Sequence, residues 1–557
     1  MRSQLHHLST RSISNHIFIT FFIIFNSLSQ FNAIKIQADH IHLGPDSQLR
    51  ANHIRNLFQK GWSTYRAHAW GHDETSILFH QTVGALSLKP SDTRNGWGAT
   101  LVDSLSTLQV MQLNKLFDIF IPLISPKRNP LYLFSNQQFS IISTPNQEII
   151  PYIQTYTKLF EYNQIRYIGG LLSAYEGSAR TDQILVTKAT QLADQLMYAW
   201  QNMSILPFPQ MNFTNQKPLL ESNGNITNLA ESGSLIIEFY KLSKYTTNST
   251  YLDLVETSMK SIINNQQIWP GLHSVDLDPM NARPISVTWG PAADSFYEYL
   301  NKYSLLTGNR DSSYLTHWAL AVDSTLKHLI RTSAATTRPS TSFYNLPFFS
   351  SSSSIKTKER TFLASRKAHG RVVYGMTHLD CFVGGNFMLG GKMLKNQTIV
   401  DYGLKLTETC ADSYFSTRSG VGPEIFDFID KDTRRSSTPD GIELNFYDEF
   451  GYIPSGGYYL RPEVIESVFY AFRITGDPKW QEMGWKMWQS IERCCLVSHQ
   501  TGLFAPFNQV NRMPTRNFTR SLGLQPDGWD GWEDGPLRES PEYGDFMESF
   551  WWAETMK

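Results

Sequence analysis

The sequence predicts an all-α chain of stacked helical hairpins closing into a toroid or solenoid. Three observations predict it. First, apolar residues recur at i, i+3, i+4 and i+7: within Glu463–Arg473 these are Ile465, Val468, Phe469 and Phe472. Phe296, Tyr299, Leu300 and Tyr303 repeat the spacing, as do Leu101, Leu105 and Leu108. Second, helix ends recur in similar dress, as Leu305-Leu306-Thr307-Gly308-Asn309 and Ile474-Thr475-Gly476-Asp477-Pro478. Gly suits the C′ position, Asn or Asp the next N-cap, and Pro the next N1. Leu242-Ser243-Lys244-Tyr245-Thr246 occupies an equivalent place. Third, stretches rich in Gly, Pro and acids fall between the hairpins, so loops can gather at one end.

Taken in order, the chain opens with a targeting pattern. Arg2 and Arg11 precede the apolar run Ile17–Phe25, and Asn26, Ser27 and Ser29 follow it. A run of that length suits a signal peptide or a short signal-anchor within residues 1–40. From about residue 50 the helical period dominates, and one domain over 41–557 is expected. Pro122–Tyr156 is crowded with Pro, Asn, Gln and Ser and lacks a sustained period. Ser340–Ser354 reads as a Ser-rich surface loop.

Composition limits the partner. With 557 residues, 18% charged and a net charge of −1, the chain has no field to gather nucleic acid or anionic lipid. A neutral partner read by shape fits better, and 13% aromatic residues offer flat faces for sugar rings. Asn202, Asn212, Asn225, Asn248, Asn396 and Asn517 each begin an N-x-Ser/Thr sequon, which supports a secretory route. Of the four cysteines, Cys381 and Cys410 can pair in an oxidising compartment. Adjacent Cys494 and Cys495 are expected as two buried thiols.

Carboxylates sit in unusual settings, beside Gly, Pro or Arg at predicted helix starts: Glu161, Glu231, Asp294, Glu424 and Glu463. Taken singly, each is accounted for by the helix dipole. Glu463 and Glu466 are harder to explain that way. Three residues apart, they share a face opposite the apolar stripe, with Tyr470 and Arg473, and two acids on one face need a cation, a proton or a substrate. Phe550 and Glu554 are i, i+4 neighbours beside Trp551 and Trp552. That arrangement fits either a sugar-binding face or a core aromatic belt with a solvated Glu.

At these residues the chain resembles the class I α-1,2-mannosidases, glycoside hydrolase family 47. The matching segments include Ala69–Glu74, Gly98–Leu105, Ile165–Tyr175, Leu229–Glu231 and Gly290-Pro291 with Asp294–Leu300. Further on come His378-Leu379 with Cys381-Phe382, Tyr459–Glu463 with Glu466-Ser467, and Met547–Phe550 with Glu554-Thr555. The residues around Trp70–Glu74 look more like the processing enzymes than the relatives acting in glycoprotein degradation.

The resemblance implies an (αα)7 barrel that, as a monomer, cleaves terminal α-1,2-linked mannose from high-mannose N-glycans with inversion. It implies calcium at the barrel floor, bound to the terminal mannose through its 2- and 3-hydroxyls. By the matching motifs, Glu161 is the general acid, working through a water, Glu463 the general base and Asp294 the third acid. Arg166, Glu231, His378, Arg461, Glu466, Phe550 and Glu554 match substrate-contacting or calcium-shell positions, with Glu463, Glu466 and Glu554 the outer shell. Cys381 and Cys410 match the family's disulfide.

Three departures set further expectations. Pro122–Tyr156 does not match the family well and leads directly into Glu161. Gln164 adds one position between Glu161 and Ile165. One residue turns a helix face by about 100°, so Glu161 or Arg166 is displaced unless a loop absorbs it. The family's direct calcium ligand, the Thr of an Asn-Thr-Glu motif, lies beyond Lys557. The expectation is therefore a C-terminally incomplete domain, and the alternative function is a non-catalytic mannose-binding member of the fold.

Overall fold

The turn Thr475–Pro478 shows how this sequence makes its hairpins. Gly476 adopts φ +69°, its N–H reaches the Phe472 carbonyl, and Asp477 caps the following helix through Lys479 N. A Cβ on Gly476 would also stand 2.5 Å from the His40 carbonyl oxygen. Each feature reverses the chain within two residues and packs one helix against the next.

The computed structural model describes residues 35–73, 97–124, 156–157, 164–201, 204–213, 215–219, 226–277, 286–333, 359–437, 451–512 and 543–557. Most of the expected signal region, most of Pro122–Tyr156, all of Ser340–Ser354, and Glu161 lie outside them. Met1–Ile36 is a separate unit from Gln37–Lys557, which holds the helices.

The main helices are α1 (Ser47–His68), α2 (Leu105–Val110), α3 (Asn114–Ile124), α4 (Gly170–Gly177), α5 (Gln183–Leu196), α6 (Ile236–Thr246) and α7 (Thr250–Asn264). They continue as α8 (Asp294–Leu306), α9 (Ser312–His328), α10 (Val383–Met393), α11 (Gln397–Phe415), α12 (Glu463–Thr475) and α13 (Pro478–Cys495). From α2 onward they pair as hairpins. The first members touch in succession, α2, α4, α6, α8, α10 and α12. The ring closes through α1 and the C-terminal segment. Arg50 of α1 meets Glu482 of α13 at 2.7 Å, and Trp552 packs edge-on to Phe58 of α1. This is an (αα)7 barrel, as expected.

Fully buried Trp62, Trp289, Trp318, Trp480, Trp551 and Trp552 fill the space between the helices. Burying such a ring contributes on the order of 3 kcal/mol or more. Trp318 lies so close to α10 that a Cβ on Gly390 would stand 2.1 Å from its ring, and its Nε1 donates to Asn386 at 2.7 Å. The Cys381–Cys410 bridge forms as expected and ties the start of α10 to α11; Cys494 and Cys495 are buried thiols.

Four local expectations change. Helix α3 runs through Pro122 to Ile124. Helix α6 runs to Thr246, so its turn comes at Thr247, with φ +56°. Glu424 begins no helix. Instead it leads into β2 (Ile425–Phe428), the middle strand of an antiparallel sheet between β1 (Gly375–Thr377) and β3 (Gly451–Ser455). Phe469, counted in the apolar stripe, is 58% exposed and lies under the Arg473 guanidinium at 5.9 Å. Arg473 is thereby drawn away from Glu463 and Glu466.

Candidate active site

The pairing of β1 with β2 sets His378 beside Glu424, and the His378 N–H donates to the Glu424 carbonyl at 2.9 Å. From there the His378 ring reaches α12. Nδ1 lies 2.8 Å from Glu463 Oε2, and Nε2 lies 2.7 Å from the Tyr414 hydroxyl. A carboxylate only accepts, so Nδ1 carries the proton and Nε2 accepts from Tyr414. Burial pushes the Glu463 carboxyl up. The bond donated by His378 and the Arg461 guanidinium oppose it and leave Glu463 below the usual carboxylate range. Arg461 is itself clamped on Glu424 by two 2.7 Å bonds. Glu463 therefore stands ionised at the first turn of a helix, where the dipole also favours it.

Backbone geometry places this group. Leu460, fully buried, adopts φ +61°, a costly conformation for a branched residue. Its carbonyl accepts from the Thr555 hydroxyl at 2.8 Å, and the Tyr458 hydroxyl holds the next carbonyl, Arg461, at 3.2 Å. Replacing Thr555 by Val strands a buried acceptor. The expected loss is about 1–2 kcal/mol of unfolding free energy in urea, with Thr555→Ser close to wild type. Equal stability of the Val variant would show that Thr555 does not hold the turn.

Around Glu463 stand acids in the opposite condition. Asp294, the first residue of α8, is pushed up to about 7 by burial. The Ser295 N–H, at 2.8 Å, opposes the shift, and Glu463 and Glu298 reinforce it. Glu466 is pushed up to about 8, mainly by burial. Lys302 at 3.8 Å opposes this, and Glu298, Glu554 and Glu463 add to it. Glu554 is raised to about 7, by burial first and then by Asp103 and Glu463, with Arg166 opposing. The residue is exposed, so burial counts for less there than at Glu466. Lys302 bonds Glu298 and lies 6.0 Å from the Tyr470 ring centre. Segments far apart in sequence thus present several carboxylates and one lysine to a common space.

Gln164 sits in a π-helical turn, Gln164–Gly169, that runs directly into α4. A π turn takes up one residue more than an α turn, which accommodates an extra position on the Arg166 side; Glu161 lies outside the described residues. Arg166 is buried within this turn. Its guanidinium meets Asp103 at 2.8 Å and Ser549 at 2.6 Å, and lies 5.7 Å from the Phe550 ring centre. Trp551 and Trp552 are core residues, packed on Trp488, Phe504, Phe58 and Trp62. The belt reading therefore holds for those two, while Phe550 stays at the site. Glu231 lies on the short helix Leu229–Gly233, whose Ala230 N–H bonds the Ala292 carbonyl just before Asp294. Burial raises its carboxyl, against bonds from Asn228 and Thr227.

Asp103, Glu298, Lys302, Tyr414 and Glu424 join the site without having been assigned a part in it. Asp103 and Glu298 lay inside matched segments, and Lys302 is one helical turn beyond Glu298, so spacing could have found them. Tyr414 comes from α11 and had no signal in the sequence. Among the described residues, no three His, Cys, Asp or Glu side chains converge tightly enough to hold a metal ion directly.

Residues 57–557 match the model of glycosyl hydrolase family 47. The chain belongs to that family. Its relatives include a mannosyl-oligosaccharide α-1,2-mannosidase of Coccidioides posadasii, 32% identical over 92% of this chain and 85% of that protein. The mannosyl-oligosaccharide α-1,2-mannosidase 1B of Aspergillus phoenicis is 32% identical over 85% of this chain and 83% of its own length. Among solved structures, the α-1,2-mannosidase from Trichoderma reesei superposes with a TM-score of 0.71 at 29% identity, covering 91% of this chain and 92% of its own.

Proposed function

We propose that this family 47 protein hydrolyses terminal α-1,2-linked mannose from high-mannose N-glycans with inversion, as a monomer in the secretory pathway. The observation that carries the reading is the division of the carboxyl groups. Glu463 is held ionised by His378 and Arg461, among acids whose protons are retained to near neutrality. Inverting glycoside cleavage requires one carboxylate to take the proton of water and one carboxylic acid, on the opposite face of the ring, to protonate the leaving oxygen, and Glu463 has the ionised state that the first role needs. Glu463 takes the proton of the attacking water, Glu161 protonates the leaving oxygen through a water, and Asp294 is the third acid. His378 is 1% exposed with both ring nitrogens engaged, so its part is to orient Glu463. Arg461 neutralises that carboxylate from the Glu424 side, while Arg166 and Phe550 offer a guanidinium and a ring face to the sugar. Glu231 and Glu554 offer oxygens to hydroxyl groups.

The repulsion among Glu463, Glu466 and Glu554, which retained protons relieve when no cation is bound, suits calcium, a hard cation bound through oxygen. These three fit an outer shell that holds the ion's water molecules. When bound, the ion polarises and orients sugar hydroxyls. Among the described residues no helix is long and apolar enough to cross a membrane. Residues 1–40 serve as signal or anchor in this reading.

The test follows a Man9 glycan by proton NMR with calcium and with chelator. Mannose released first as the β-anomer, and lost on chelation, is the expected result. Glycan binding with no release, or the α-anomer first, overturns the reading.

A further inference from the structure

We propose that Asn396 carries an N-linked glycan and that Asn212, with an equally valid sequon, does not. The proposal rests on the secretory reading alone and is independent of the hydrolase chemistry. Asn202, Asn225 and Asn517 lie outside the described residues.

The sequon Asn396-Gln397-Thr398 occupies the turn between α10 and α11. Lys395 adopts φ +53°, and Leu394 through Thr398 are all exposed. Asn396 is the N-cap of α11, and its Oδ1 accepts from the Ile399 N–H at 3.4 Å. Capping thus uses the oxygen of the side-chain amide and leaves Nδ2 turned to solvent. Glycan transfer uses the other atom. Nδ2 attacks C1 of an oligosaccharide carried on a polyisoprenoid pyrophosphate. The N–C1 bond forms, the C1–O bond to pyrophosphate breaks, the pyrophosphate lipid leaves, and the amide gives up one proton. No electrons change hands, and the capping oxygen keeps its partner.

Position also permits it. Helix α10 begins just after His378 and Cys381 and runs eleven residues away from them. At 1.5 Å per residue that is about 16 Å. A glycan on Asn396 therefore stands at the end of the barrel opposite Glu463 and leaves the site open to substrate.

Of the other described sequons, Asn212 is less free. Asn212 is 8% exposed, pairs across from Lys217 in a short sheet, and accepts from the Asn215 N–H at 3.2 Å. A sugar there would have to be buried with it. Asn248 is exposed and, like Asn396, uses its Oδ1, which accepts from the Thr250 N–H at 3.1 Å, so the contrast is with Asn212 alone.

The experiment places a cleavable signal ahead of the full chain, so that delivery to the lumen of a eukaryotic host is assured. Folded, secreted protein is deglycosylated enzymatically in H2(18)O and its peptides are weighed. The peptide holding Asn396 is expected to carry the label in most molecules and the Asn212 peptide to carry none. Thr398→Ala removes the label while leaving the cap, and Asn396→Asp removes it with a capping oxygen retained. An unlabelled Asn396 peptide, or a labelled Asn212 in folded protein, overturns the proposal. Routing of the chain on its own N-terminus is a separate measurement, so failure of the secretory reading is told apart from failure at Asn396.

Discussion

Replacing Glu463 by Gln is expected to lower kcat for mannose release by about 10²–10⁴-fold, the range for loss of a general base. Gln has nearly the same volume and keeps an oxygen that accepts from His378 Nδ1. The packing of α12 on α10 is therefore preserved and circular dichroism should not change. What disappears is the charge that takes the proton of water. The same reading fixes the acidic limb of the wild-type pH profile. The base must be ionised, so kcat/KM falls only as pH drops through a Glu463 pKa held below the ordinary value of 4.5. His378→Ala removes the bond that keeps it low, and the limb should move to higher pH. A Gln variant that retains more than about a tenth of wild-type turnover would remove Glu463 from the chemistry.

Glu466 should make the metal-free protein lose stability as pH rises. Its folded-state pKa of about 8 lies above the ordinary 4.5, so the folded state binds more protons than the unfolded chain between those values. The stabilisation is complete below about pH 4.5 and is lost as pH passes through 8. In chelator, the unfolding free energy should fall by about 2–4 kcal/mol from pH 5 to pH 9 on account of this group, after allowance for its coupling to Lys302. Glu466→Gln has no proton to lose there and should flatten that part of the curve, becoming the more stable protein at pH 9. Parallel curves for the two proteins would mean that Glu466 titrates as a solvated acid.

Much of this was legible in the residues themselves. Gly476, Asp477 and Pro478 each act through their own backbone preference, so the turn they specify forms as read. The apolar period of α12 located the helix, and Glu463 and Glu466 were recognised as acids in conflict. Phe469 and Arg473 show the limit. Both fit their stripes by spacing, yet the stacking of one on the other takes them to the surface. Gln164 shows it again: a count along the chain registered one residue too many, but could not tell a displaced Arg166 from a π turn. Glu424 was read as a helix start because Gly-Pro precedes it, and the neighbouring strand claimed it instead.

The sequence by itself determined the helical repeat, the turn at Gly476, the disulfide pair and which acids stood as candidates, because all of these follow from local preference or from matched motifs. Only the tertiary structure decided which acid is ionised. The charge on Glu463 depends on His378, which is fixed by Tyr414 of another hairpin and by a strand paired with Glu424's. The protons on Asp294 and Glu466 depend on burial and on carboxylates from distant segments. A pKa is set by what surrounds a group in space, and linear spacing carries no record of those neighbours.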